Sequence, residues 1–102
     1  DSVDDEAIRR TIVDVHTRSG ETVCPHTACA LAVLQRLRER GDDDDWCVVA
    51  TAHPAKFPEV VEPLIGTEVS LPAELAAMLA RASAARILAN EVETLRDQLR
   101  GW

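Results

Sequence analysis

Apolar side chains recur every three or four residues in the first part of the chain, which is the spacing of one face of a helix. Over residues 4–18, Ile8, Ile12 and Val15 fall on one side, and charged side chains occupy the other. This pattern predicts an amphipathic helix. Gly20 follows it and suits the left-handed residue that commonly ends a helix.

A second helix is predicted from His26 to about Arg40. Apolar residues wrap most of its first two turns, its tail is amphipathic, and Gly41 follows its end. Pro25 suits the first helical turn, where a missing backbone N–H costs nothing. We therefore expect the start of this helix to be buried on several sides.

The run from Trp46 to Thr51 is apolar up to its last residue and has the length of a strand. Such a run is typical of a strand that is covered on both faces in a parallel sheet. The chain offers only one other strand-like segment, Thr22–Val23. A buried strand needs neighbouring strands and helical layers. We expect the missing strands to belong to further sequence or to a second copy of the chain.

The remaining segments are predicted to be helical. One helix begins near Phe57, has Pro58 in its first turn and ends at Gly66, and another begins near Pro72. Asn90 and Glu93 have the spacing of a capping box for a last helix. The side chains expected to face inward from that helix are Leu95, Leu99 and Trp102. The predicted fold class is thus α/β, mostly helical with one or two short core strands.

Charge then limits the classes of partner. The net charge is −7 and the pI is about 4.8, which argues against binding to nucleic acid or to an anionic membrane. No apolar run approaches the length of a transmembrane helix, so we expect a cytoplasmic protein. The chain begins at Asp1 rather than at Met, and we expect it to derive from a longer polypeptide.

Cysteine and histidine could form a metal centre or a nucleophilic pair. The candidate zinc ligands are Cys24, His26, Cys29, Cys47 and His53. Two of the thiols lie in apolar segments, where a buried cysteine is the ordinary interpretation, so the predicted metal site is none. A Cys/His metal-binding domain and a small acidic binding or assembly module nevertheless stay open as alternative functions.

Three segments carry a resemblance to a known family. They read VCPHTA from Val23, VVATAHPAKF from Val48 and LPAEL from Leu71. In this order and spacing, together with Gly66, they closely resemble the C-terminal portion of the threonine synthase family. The resemblance covers about residues 4–79 and weakens through the final helices. Cys24 stands where many relatives have aspartate.

The resemblance implies an enzyme that depends on pyridoxal 5'-phosphate (PLP), with the fold-type II architecture that is similar to tryptophan synthase β. Its implied reaction converts O-phospho-L-homoserine and water to L-threonine and phosphate. Residues 1–70 would form the C-terminal part of the PLP-binding α/β domain, and residues 71–102 a helical C-terminal extension.

The resemblance also implies roles for individual residues. The hydroxyl of Thr51 is expected to meet the pyridine nitrogen of PLP, while His53, Lys56 and His26 are expected to border the substrate pocket. The Schiff-base lysine is expected upstream, in the remainder of the synthase chain. No catalytic residue is then expected among these 102 residues, and the isolated chain is expected to be inactive.

Overall fold

The computed structural model describes residues 1–83, 85 and 87–101, and within these residues the chain has five α-helices and one 3₁₀ turn. They are α1 (Asp5–Ser19), α2 (Pro25–Glu39), the 3₁₀ turn (Pro54–Lys56), α3 (Pro58–Ile65), α4 (Ala73–Leu79) and α5 (Val92–Arg100). The chain divides into two compact units, Asp1–Leu71 and Pro72–Trp102.

Helix α1 begins and ends at residues whose local chemistry favours those positions. The side chain of Asp4 accepts a hydrogen bond of 2.8 Å from the backbone N–H of Ala7, which satisfies one free donor of the first turn. Gly20 adopts the left-handed conformation at φ 75°, and its N–H donates to the carbonyl of His16. The predicted helix over 4–18 is therefore confirmed.

Helices α2 and α3 also begin at the prolines that were expected in their first turns. Pro25 is the first residue of α2, and Pro58 is the first residue of α3. Gly66 ends α3 in the left-handed conformation at φ 72°. Because this φ is unfavourable for residues with a side chain, glycine is the residue that ends the helix at least cost.

The core of the first unit lies where α1, α2 and α3 meet. Each of these helices contributes one residue with no exposed surface, namely Ile12, Ala28 and Val61. Partly buried apolar side chains pack around them, and these are Ile8, Val23, Phe57, Leu64, Ile65 and Val69. Full burial of a side chain such as Ile12 or Val61 contributes about 1.5–3 kcal/mol. The core fixes the start of α2 close to the segment that leads into α3.

The predicted strands are absent from the part of the chain that the structure describes. Residues 46–51 run without helix or strand, and no backbone-to-backbone hydrogen bond involves them among the described residues. Trp46 is 53% exposed and Val49 is 71% exposed. The prediction of one or two core strands is wrong for the described residues because a strand requires partner strands, and no described segment supplies one.

The second unit contains α4 and α5 and has no buried residue among those described. The predicted capping box at Asn90 and Glu93 is wrong, since Glu91 is the N-cap residue of α5 and makes no side-chain capping bond. The carboxylate of Glu93 instead accepts two hydrogen bonds of 2.6 and 2.8 Å from Arg96.

The inward-facing side of α5 that the sequence predicts is also exposed in the structure. Leu95 and Leu99 keep 49% and 64% of their surface accessible. Trp102, which was expected to join them, lies outside the described residues. Across the described residues, no helix is both long enough and apolar enough to cross a membrane.

Candidate functional site

The turn after residues 46–51 is closed by local hydrogen bonds. The Nδ1 atom of His53 accepts a bond of 3.2 Å from the backbone N–H of Ala55, and the N–H of Phe57 donates to the carbonyl of Pro54 at 2.9 Å. Ala55 is 6% exposed, which anchors the turn to the protein. The turn therefore has a defined shape, although no sheet supports the residues before it.

The side chains of Thr51, His53 and Lys56 are exposed around this turn. Within the described residues, neither the hydroxyl of Thr51 nor the ammonium of Lys56 has a hydrogen-bond or ion-pair partner. Lys56 is the only lysine of the chain. These polar groups are consequently available to a ligand or to another part of a larger protein.

The start of α2 contacts the downstream end of the turn. The imidazole of His26 lies against the ring of Phe57, with ring centroids 5.2 Å apart and planes inclined by 54°. This contact brings His26 to the residue that follows Lys56. Three of the four candidate residues thus lie on or next to the turn, and the fourth, His26, contacts the end of the turn from the start of α2.

Cys24 lies buried at the start of α2. It is the N-cap residue of α2 and is only 1% exposed. Its sulfur lies 3.4 Å from the hydroxyl oxygen of Thr27.

Burial and hydrogen bonding act on the Cys24 thiol in opposite directions. Burial raises the pKa of the thiol, whereas the Thr27 hydroxyl and backbone N–H groups lower it by stabilising the thiolate. The N–H groups belong to Thr27, His26 and Ala52. Their combined effect exceeds that of burial, so the pKa of Cys24 lies below its ordinary value.

The cleft beside the turn contains one of the candidate residues. His53 and Pro54 line an open cleft of about 340 Å³ together with residues 20–22, Ile65 and residues 67–70. Two of these lining residues, Glu21 and Glu68, are acidic. Thr51, Lys56 and His26 are not among the residues that line this cleft.

The cysteines and histidines do not assemble a metal centre. In residues 1–83, 85 and 87–101, no three side chains of His, Cys, Asp or Glu come together in a way that could hold a metal ion. The alternative of a Cys/His metal-binding domain therefore has no support in the described residues.

The burial of Cys24 at the start of α2, beside the Thr27 hydroxyl, is a feature of the site that sequence reasoning missed. Cys24 was considered only as a metal ligand or a nucleophile. The signal that was available is Pro25, because a proline in the first turn places the preceding residue at the N-cap. The contact between His26 and Phe57, which lie 31 positions apart in the sequence, has no local signal.

The chain is similar in sequence to a known family. Residues 27–99 match the family model described as Threonine synthase, C-terminal. The match extends to residue 99, further along the chain than the motifs indicated.

Three curated relatives match most of the chain. The chain is 39% identical over 92 residues to threonine synthase from Pseudomonas aeruginosa, covering 89% of this chain and 19% of that protein. It is 39% identical over 75 residues to threonine synthase from Escherichia coli, covering 74% and 17%. It is 33% identical over 78 residues to threonine synthase-like 2 from Mus musculus, covering 76% and 16%. The chain thus spans less than a fifth of the length of these relatives.

Two solved structures share its fold. A threonine synthase from Escherichia coli superposes with a TM-score of 0.79 at 31% identity, over 99% of this chain and 23% of that one. A PLP-bound threonine synthase from Brucella melitensis superposes with a TM-score of 0.68 at 33% identity, over 92% and 20%.

Proposed function

The chain belongs to the threonine synthase family, whose C-terminal part it matches, and from this we propose that it supplies one wall of the PLP site in a threonine synthase. The proposed reaction of the complete enzyme is the conversion of O-phospho-L-homoserine and water to L-threonine and phosphate, a carbon–oxygen lyase reaction acting on phosphate. A structurally similar relative that is PLP-bound supports the choice of cofactor. We place the enzyme in the cytoplasm.

The proposal divides the chain into two functional parts. Residues 1–70 belong to the PLP-binding α/β domain, and residues 71–102 form a helical C-terminal extension. The remainder of the synthase chain is the partner of both parts. It also supplies the lysine that carries PLP covalently, so the 102 residues alone do not turn over substrate.

The exposed run of residues 46–51 supports a larger protein around this chain. Its backbone N–H and C=O groups make no backbone-to-backbone hydrogen bonds among the described residues, although buried backbone groups in folded proteins are almost always paired. Its apolar side chains are accessible at Trp46 and Val49. Pairing with strands from the remainder of the enzyme supplies hydrogen-bond partners for these backbone groups and covers the apolar side chains.

Thr51 is the residue that we assign to PLP. It ends the apolar run, its side chain is exposed, and its hydroxyl has no partner among the described residues. A hydroxyl can donate to or accept from a pyridine nitrogen, but as a neutral group it does not stabilise a pyridinium as a carboxylate does. Bound PLP supplies an electron sink for carbanions, and Thr51 orients the ring. The single observation that carries the assignment is this unpartnered hydroxyl at the end of the run.

His53, Lys56 and His26 are assigned to the edge of the substrate pocket. His53 and Lys56 are the only residues between positions 46 and 72 that can carry a positive charge. A phosphate ester is best held by charge-assisted hydrogen bonds, and these two residues are the ones in that stretch that can donate them in charged form. The assignment therefore rests on exposure and charge at the turn.

The test is the effect of Thr51→Ala on the affinity of the full-length enzyme for PLP, measured by absorbance titration. Loss of one hydrogen bond should weaken PLP binding by roughly two- to tenfold. Thr51→Ser keeps the hydroxyl and serves as the matched control. Unchanged PLP affinity in Thr51→Ala would show that the contact is misassigned.

A further inference from the structure

We propose that the two ring nitrogens of His53 serve different purposes. Nδ1 closes the turn, and the N–H of Nε2 donates a neutral hydrogen bond to an anionic oxygen of the substrate, on its phosphate or on its carboxylate. This inference rests on the proposed place of His53 at the edge of the substrate pocket. It specifies the form in which the imidazole acts there, and it leaves the positive charge at the turn to Lys56.

The contact of Nδ1 is the first observation. His53 is the N-cap residue of the 3₁₀ turn, with φ −76° and ψ 138°, and its Nδ1 accepts from the backbone N–H of Ala55 at 3.2 Å. Nδ1 is bonded to Cγ, as the side-chain oxygen of asparagine is, so it reaches the N–H two residues on as in an Asx turn. Nε2 lies on the far side of the ring and does not make this bond.

The hydrogen bond to Ala55 determines which ring nitrogen carries the proton. A nitrogen that accepts a hydrogen bond presents its lone pair, so the proton of the neutral ring is on Nε2. A proton on Nδ1 would direct two N–H donors at each other and leave the N–H of Ala55 without this acceptor. Ala55 is only 6% exposed, so water is a poor substitute, and an unsatisfied buried N–H is costly. The closed turn therefore goes with a neutral ring that has its proton on Nε2.

The N–H of Nε2 is not used within the part of the chain that the structure describes. The ring is exposed, and its only hydrogen bond among the described residues is the one at Nδ1. Glu21 and Glu68 line the same cleft as His53, but no ion pair joins either of them to the ring among these residues. The N–H of Nε2 is thus available to an oxygen of the substrate.

A neutral donor also fits the charges around the ring. An imidazolium would be attracted to the carboxylates of Glu21 and Glu68 in competition with the substrate, whereas a neutral ring is attracted to them much less. Lys56 lies three residues further on, and its side chain is exposed. An ammonium attracts an anion from many directions, but a ring N–H is directional. Lys56 therefore supplies attraction for the substrate, and His53 supplies orientation.

The first experiment locates the ring proton without PLP or substrate. In full-length apoenzyme labelled with nitrogen-15 in its histidine rings, NMR should show a protonated Nε2 and an unprotonated Nδ1 for His53 at neutral pH. His53→Asn identifies these resonances by removing them. A proton on Nδ1, alone or together with one on Nε2, would overturn the inference. That result would leave the proposed contact between Thr51 and PLP intact.

The second experiment separates the two nitrogens with two amide variants of the full-length enzyme. His53→Asn keeps an acceptor for Ala55 but loses the donor at Nε2. Its KM for O-phospho-L-homoserine should rise roughly two- to tenfold, with an unfolding midpoint close to that of the wild type. His53→Gln places an amide N–H near the position of Nε2 but loses the bond to Ala55. It should recover most of the loss in KM while its unfolding midpoint falls.

A merely structural role of His53 predicts the reverse order. If the ring only closed the turn, His53→Gln would have the higher KM and His53→Asn would resemble the wild type, which would overturn the inference. An equally large increase of KM in both amides would indicate a charged imidazolium and would overturn it too. If both amides and His53→Ala kept the wild-type KM, the proposed place of His53 at the substrate pocket would fail together with the inference.

Inhibition by inorganic phosphate identifies the substrate oxygen that Nε2 meets. If this oxygen is on the phosphate, His53→Asn should raise the inhibition constant of phosphate by the same factor as KM. If it is on the carboxylate, KM should rise while the inhibition constant stays within twofold of the wild type. A rise in the inhibition constant without a rise in KM would contradict both placements and overturn the inference.

Discussion

The imidazole of His26 packs against the phenyl ring of Phe57, with centroids 5.2 Å apart and a tilt of 54° between the planes. Tilted aromatic pairs at this separation are favourable because the positive edge of one ring meets the negative face of the other. Phe57 also packs against the buried cluster of Ile12, Ala28 and Val61. The pair therefore joins the core to the segment that carries the candidate site.

Replacement of Phe57 by alanine should destabilise the chain more than replacement of His26. Phe57→Ala removes a partly buried ring and should lower the free energy of unfolding by about 2–4 kcal/mol. His26 is exposed, and His26→Ala should cost about 0.5–1.5 kcal/mol. Urea unfolding of the two single variants and the double variant measures the coupling. If the two losses simply add, the rings do not interact.

Truncation of two neighbouring residues of α1 should lower the free energy of unfolding by very different amounts. Ile12 has no exposed surface, whereas Val13 is 37% exposed. Ile12→Ala leaves a cavity where three helices meet and should lower the free energy of unfolding by about 2–5 kcal/mol. Val13→Ala should change it by less than about 0.5 kcal/mol. Comparable losses in urea unfolding would place the core of this unit elsewhere.

The helices of the first unit could be predicted from sequence because the signals that define their ends are local. Asp4 bonds to a residue three positions away, and Gly20 bonds to a carbonyl four positions back. A run of apolar residues at helical spacing between such signals has few other conformations available. Pro58 and Gly66 bounded α3 for the same reason.

The core strand could not be predicted correctly from the same sequence because its conformation depends on other strands. Trp46 to Thr51 has the composition of a buried strand, yet no segment that the structure describes pairs with it. The contact between His26 and Phe57 was likewise out of reach, since it joins residues far apart in sequence. Long-range contacts of this kind leave no periodic pattern.

The resemblance contributed what periodicity did not, namely the candidate residues at the turn. The motif from Val48 to Phe57 identified Thr51, His53 and Lys56, and the structure shows all three exposed. It did not show that His53 lines a cleft to which Thr51 and Lys56 do not contribute. Their roles toward PLP and substrate stay predictions.

His53 should respond differently to its two amide replacements. Its Nδ1 accepts the N–H of Ala55 at 3.2 Å, and the side-chain oxygen of asparagine can accept at a similar distance from the backbone. The free energy of unfolding of His53→Asn should therefore lie within about 0.5 kcal/mol of the wild-type value. That of His53→Ala should be lower by about 1 kcal/mol, which is the usual cost of losing a capping side chain. Thermal or urea unfolding distinguishes these outcomes.

The longer side chain of glutamine provides the matched comparison. In His53→Gln the amide reaches toward the position of Nε2 and no longer accepts from Ala55, so its stability should resemble that of His53→Ala. If asparagine and glutamine are equally stable, the hydrogen bond to Ala55 does not contribute to the turn.

Stability should rise with pH through ionisation of Cys24. The thiol has a lower pKa in the folded chain than its ordinary value of 9.0, so between these two values the unfolded chain binds more protons than the folded chain. The contribution of the Cys24 thiolate to the free energy of unfolding is fully present above pH 9.0. It is lost as the pH falls through the lower pKa of the folded chain. The free energy of unfolding should therefore increase relative to Cys24→Ser as the pH rises toward 9.0.

The comparison with Cys24→Ser isolates this effect because all other titrating groups are present in both proteins. Urea unfolding of each at several pH values gives the difference directly, and the difference in thiolate ultraviolet absorbance between the two proteins follows the ionisation of Cys24. A difference that stays constant with pH would mean that the donors around the sulfur do not favour the thiolate. A difference that falls as the pH rises would mean that burial of the sulfur outweighs them.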